Sequence, residues 1–155
     1  MAAVHDANAA RLKTLLDEVG WPTTALVGPD GTKAAHRIAQ HSINHPDFMR
    51  HCRSLILAAT TRGDILPEQF AYIDDRIRVY EGLPQLHGTQ WRGGIHGLEP
   101  YPVDDWSTVN HRRQALGLPT LDEMRAMSSE HLSQESVDRN RAEELAWRRQ
   151  VGWIR

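Results

Sequence analysis

Residues 67–82, PEQFAYIDDRIRVYEG, decide how the rest of the chain is read. Pro67 suits the first turn of a helix, where its missing N–H costs nothing, and Gly82 suits the end. Phe70, Ile73, Ile77 and Tyr80 recur at three- and four-residue steps and form one apolar stripe. Tyr72 and Val79 form a second stripe on nearly the opposite side. A helix apolar on two sides is sandwiched within a fold. This stretch therefore predicts the central helix of a mainly α, single-domain protein.

Upstream, Leu12, Leu15, Leu16 and Val19 mark an amphipathic helix that stops at Gly20. Trp21 and Pro22 break it, and residues 23–31, TTALVGPDG, read as a short extended piece and a turn. A second helix is expected over about 32–43. Asn44-His45-Pro46 ends it, because the residue before a proline is pushed out of the α region. Pro46 then opens a third helix, with Phe48, Cys52, Leu55, Ile56 and Ala59 on one side and Gly63 at its end.

Downstream, residues 82–104 lack helical periodicity. A structureless loop of about 20 residues is unusual in a compact domain. The glycines instead suggest a small β-hairpin, HGTQW (87–91) and IHGLEPYPV (95–103) around RGG (92–94). Two strands alone are marginal, so the hairpin must pack on helices. Short helices are expected over about 107–116 and within 117–127. The expected organisation is a helical domain over 1–127, with its hairpin at about 85–103, and a charged C-terminal helix or tail over 128–155. Leu145, Trp147, Val151, Trp153 and Ile154 give that tail a narrow apolar stripe. The stripe makes a homodimer through the C-terminal segment a candidate.

At 155 residues, 40% hydrophobic and 25% charged, the chain has an ordinary globular composition. A net charge of -2 with scattered arginines leaves no nucleic-acid footprint. No apolar run approaches the roughly 18 residues of a membrane span. Residues 1–13, MAAVHDANAARLK, lack a signal-peptide layout, which points to the cytoplasm. Only Lys13 and Lys33 are lysines, a skew that reads as a high-GC bacterial genome. The single Cys52 excludes an internal disulfide and a multi-cysteine zinc site, and reads as a buried, inert thiol.

The pieces GWPTTALVGPDG (20–31), AAHRIAQHS (34–42), AYIDDRIRVYEGLPQLHGTQ (71–90) and VNHRRQALGLPTLDEM (109–124) have a recognisable order and spacing. The chain resembles an uncharacterised bacterial family, common in actinomycetes, marked by Asp-Arg on a helix followed by G-x-x-Q-x-x-G-T-Q. The resemblance spans about 20–127. His87 stands where the family usually has tyrosine, and SINHPD (42–47) replaces an acidic loop after His41. Both departures add a histidine. The resemblance carries no activity, but it singles out His41, Asp75, Arg76 and the 82–90 segment as a site.

Residues 81–97, EGLPQLHGTQWRGGIHG, put Gln85, His87, Thr89 and Gln90 on a glycine-rich backbone able to approach a ligand closely. In a strand Gln90 would point away from His87 and Thr89. Arg76 offers a planar fork for an oxyanion, and Asp75 would orient Arg76 or His41. His41 is a general acid or base candidate, since imidazole titrates near neutral pH. Asp74 and Arg78 form an expected i, i+4 ion pair on the same helix. LVGPDG (26–31) lacks a phosphate-loop lysine and reads as a turn, while Arg112 and Arg113 read as anchors for their helix.

These residues point to a metal-independent acid/base enzyme, a lyase, cyclase or hydrolase without a cofactor, acting on a polar, anionic small molecule. Catalysis falls to His41, Asp75 and Arg76, and binding to Gln85, His87, Thr89 and Gln90. A non-catalytic ligand- or partner-binding regulatory module is the alternative. A histidine-metal enzyme using His41, His45 and His87 is the third reading, weakened because Pro46 takes His45 out of the helix and no H-E-x-x-H occurs.

Overall fold

The computed structural model describes residues 2–127 and 131–155. Seven helices and one two-stranded antiparallel sheet make up the regular structure among these residues, so the fold is mainly α with a small β-hairpin. The chain divides into two compact units, Met1–Asp74 and Asp75–Arg155, with the boundary inside the fourth helix.

The first unit contains α1 (Ala2–Val19), α2 (Thr24–His41), α3 (Pro46–Thr61) and the start of α4 (Pro67–Tyr80). Leu12 and Leu16 of α1, Ala35 and Ala39 of α2, and Met49, Cys52, Ile56 and Ala59 of α3 are buried as its core. Each large aliphatic side chain removed from water contributes roughly 1.5–3 kcal/mol. Residues 23–31 depart from the extended piece expected of them. Thr24–Val27 form a helical turn, and the chain then kinks at Gly28 (φ 73, ψ 171). The kink puts Pro29 at the head of the main helical segment, where proline costs no hydrogen bond. A side chain at Gly28 would resist that left-handed φ. The helix ends at His41, two residues earlier than expected, where the Ser42 hydroxyl donates to the Ile38 carbonyl at 2.8 Å.

The second unit holds the remainder of α4, β1 (Trp91–Gly94), β2 (Gly97–Pro100), α5 (Val109–Ala115), α6 (Leu121–Ala126) and α7 (Gln134–Gln150). The register pairs Trp91 with Pro100 and Gly94 with Gly97. The hairpin therefore turns at Ile95-His96, not at RGG, and 87–90 lie outside the strands. Val103, Val109 and Leu121 form a small core against which Trp91 packs. A reciprocal capping box between Thr120 and Glu123 starts α6. α7 buries Val137, and Tyr80 meets Trp147 edge-on at 5.1 Å and Trp153 at 5.2 Å.

Candidate functional site

The segment after α4 is organised by Asp75, which is fully buried. Its carboxylate accepts from the backbone N–H groups of Leu86 (2.8 Å), His87 (3.2 Å) and Thr89 (3.0 Å), and from the Thr89 hydroxyl (3.0 Å). A buried charge is tolerated when hydrogen bonds replace its water, and this loop supplies them. From the opposite polarity, the Arg113 guanidinium donates to the His87 and Gly88 carbonyls at 2.8 Å each, and also to Pro119. Arg113 is thus an anchor, as its sequence context suggests. Gly88 turns between the two charges at φ 60, and a Cβ there would meet Leu121 at 2.9 Å.

Gln85, also fully buried, is the second organiser. Its amide oxygen accepts from Gln90 N–H (2.7 Å), and its Nε2 donates to the carbonyls of Gln90 (3.0 Å) and Tyr101 (2.9 Å). A directed chain runs from Arg76 Nε to Gln90 Oε1 (2.8 Å), from Gln90 Nε2 to Thr89 Oγ1 (3.0 Å), and from that hydroxyl to Asp75. Burial lowers the Arg76 pKa, opposed by a smaller contribution from Tyr80.

The structure corrects one expectation here. Thr89 and Gln90 bond to each other instead of pointing apart. Asp75 bonds to the loop, and through Thr89 and Gln90 it is linked to Arg76. Asp74 lies 3.4 Å from Arg53 in the first unit, and in the second Arg78 donates to the Pro84 carbonyl (2.7 Å). So Asp75, Gln85, Thr89 and Gln90 hold one another and the loop; half-buried His87 contributes its backbone to the same network.

His41 belongs to the first unit. It lines a cavity of about 340 Å³ with Lys33, His36, Arg37, Gln40 and Tyr72. The first four of those follow i, i+3, i+4, i+7 spacing and share one side of α2, and His41 extends it by one residue. A recess of about 180 Å³ adjoins through the shared Arg37 and His41, and His5 of α1 reaches it. The His5 and His41 rings stack, with centroids 5.2 Å apart and planes at 16°. His36 Nε2 lies 2.8 Å from the Gln69 carbonyl and 3.3 Å from Gln40 Nε2, so this ring is held between the two. No carboxylate lines the cavity among the described residues. Lys33, Arg37, Gln40 and Tyr72 were not singled out from the sequence, although the spacing on α2 was there to read.

His45 and the cysteine lie apart from the cavity. His45 sits 2.9 Å from Asp6 and outside the helix, as Pro46 requires. Among the described residues no group of three or more His, Cys, Asp or Glu could hold a metal ion. Cys52 is fully buried, and burial pushes its thiol up to about 12. Among the described residues no helix is long and apolar enough to cross a membrane.

No curated protein and no solved structure matches the chain. A family match covers residues 1–133, which take in the α2 cavity and the whole Asp75 loop but stop short of α7. On that match the chain belongs to DUF6624, a family of unknown function.

Proposed function

We propose that the protein is an enzyme performing metal-independent acid/base chemistry on a polar, anionic small molecule at the α2 cavity. One observation carries the reading: the cavity of about 340 Å³ gathers two permanent cations, two imidazoles, an amide and a phenol, with no carboxylate among its described lining residues. Lys33 and Arg37 would hold the oxyanion, Arg37 by its fork of donors and Lys33 as a point charge. His41 would accept a proton from the bound molecule and return it, the role imidazole fills near neutral pH. Gln40 and Tyr72 supply neutral hydrogen bonds that orient the uncharged part. In this reading Asp75, Gln85, Thr89 and Gln90 act as the scaffold of the second unit, and Arg76 is no longer the substrate anchor.

A second reading has its own observation. The His5 ring covers one side of His41 at 5.2 Å, which suits a group that binds more than one that exchanges protons with a substrate. The protein would then be a non-catalytic anion-binding module. Turnover of a panel of small organic phosphates and carboxylates, measured beside calorimetric binding, separates the two. The enzyme reading expects wild type to convert at least one compound that His41→Ala binds but does not convert, with melting temperatures within a few degrees. Binding without conversion by wild type supports the module, and absence of binding to the panel defeats both.

A further inference from the structure

The second unit contains a larger cavity, of about 380 Å³, that plays no part in the chemistry above. Its polar side is built from Arg92, Arg141 and Arg148, with Tyr101 and Glu144. Its other wall is apolar and includes Val79, Leu83, Pro102 and Leu145. Leu83 and Leu145 are 48% and 40% exposed, so this wall stands open to solvent.

Three guanidinium groups share the lining with a single carboxylate, and that carboxylate is already engaged. Glu144 accepts from the Tyr101 hydroxyl at 2.6 Å and lies 3.6 Å from Arg148. Burial first, then the Glu144 hydrogen bond and charge, raise the Tyr101 pKa, so the phenol stays protonated and donates. Arg148 also donates through Nε to the Tyr80 carbonyl at 2.6 Å, which fixes its stem. Arg141 reaches Glu99 only at 3.8 Å, the loose end of an ion pair. Arg92 stacks over the Tyr101 ring at 5.0 Å, and its buried Nε has no hydrogen-bond partner among the described residues. A buried donor left unmatched costs free energy unless something fills it.

We infer that this cavity binds a small amphiphilic oxyanion, with a carboxylate or phosphate head on Arg92 and Arg141 and an apolar or aromatic body against Val79, Leu83 and Leu145. The volume lies within the range of small-molecule sites, and an apolar wall with few convergent polar groups is their usual make-up. Four of the lining residues, Arg141, Glu144, Leu145 and Arg148, come from α7 at i, i+3, i+4 and i+7. That helix lies beyond the family match, which ends at residue 133.

Calorimetric titration of the full chain with phenyl phosphate, phenylacetate, benzyl alcohol and inorganic phosphate tests this. Phenyl phosphate or phenylacetate binds, and whichever is tighter identifies the head group. Benzyl alcohol and inorganic phosphate each bind on the order of tenfold more weakly, lacking head or body respectively. Arg92→Met and Arg141→Met each weaken binding on the order of tenfold; Arg141 is half-exposed, so its loss leaves folding intact. The double variant Lys33→Ala/Arg37→Ala binds as wild type does, which separates this cavity from the one on α2. The inference fails if neither aromatic acid binds, if inorganic phosphate matches phenyl phosphate, or if binding follows Lys33 and Arg37 instead of Arg92 and Arg141.

Discussion

In the segment after α4, Asp75 takes up three backbone N–H groups and a hydroxyl, Arg113 covers two carbonyls, and Gln85 closes three more bonds. On the C-terminal part of α2, by contrast, Lys33, His36, Arg37, Gln40 and His41 line a cavity of about 340 Å³. The first stretch is by far the richer in polar residues, glycines and motif. Yet its polarity is consumed in building an irregular backbone, because a loop without ladder partners must find other acceptors and donors for every buried amide. A helix satisfies its own backbone, so its side chains are not needed to pair buried amides. Density of polar residues is therefore a poor guide to a cavity; the secondary structure beneath them decides how much of that polarity the backbone consumes.

The sharpest way to break this contrast is Asp75→Asn. The amide keeps one acceptor but sets an NH2 group against N–H donors. Leaving buried groups unmatched beside the lost charge costs about 4 kcal/mol. A urea denaturation that returned a loss below about 1 kcal/mol would sink the scaffold role. Gln85→Leu preserves volume but strands one N–H and two carbonyls, for an expected loss of about 3 kcal/mol in the same assay.

Alkaline pH probes the buried core next. The Cys52 thiol is raised from 9.0 to about 12, so its contribution is complete below pH 9 and is lost as pH climbs toward 12. Tyr80 and Tyr101 are raised as well and act with the same sign. At pH 10 the Cys52 share of the loss is about 1 kcal/mol, and Cys52→Ala should flatten the stability profile between pH 9 and 10 by that amount. An unchanged slope in the variant would mean that the thiol does not titrate with unfolding.

Smallest of all in stability is Lys33→Ala/Arg37→Ala, expected within about 0.5 kcal/mol of wild type because both side chains are exposed. Its effect belongs to binding: retention of the small anions taken up by wild type would remove the α2 cavity from consideration. A loss of stability as large as that of Asp75→Asn would erase the distinction between the two regions.

Much of this architecture is legible in the chain, and the reasons are local. Pro46 and Pro67 mark helix starts, and Cys52, Ile56 and Ala59 keep helical spacing along the buried side of α3. Misreadings arise where a distant residue decides. Residues 87–90 resemble a strand by composition, but a carboxylate 12 to 14 positions before His87 and Thr89 bends them around itself. Thr24–Val27 look extended because Gly28 and Pro29 follow, while a kink at Gly28 lets both a helical turn and the proline stand. The cavity on α2 is lined from positions 33, 36, 37, 40 and 41, of which only His41 stands out in the chain as an acid/base group.

The arrangement around Asp75 also bears on how the chain finds its structure. The bonds from Leu86, His87 and Thr89 span 11, 12 and 14 positions, and those of Gln85 span 5 and 16. Closing loops this short costs little chain entropy, and doubling the length adds only about 0.6 kcal/mol. Such near-neighbour contacts are the kind that speed folding. A single carboxylate in the second half of a newly formed helix can gather the residues that follow before any remote part of the polypeptide has arrived, so the glycine-rich segment has a template supplied from its own doorstep.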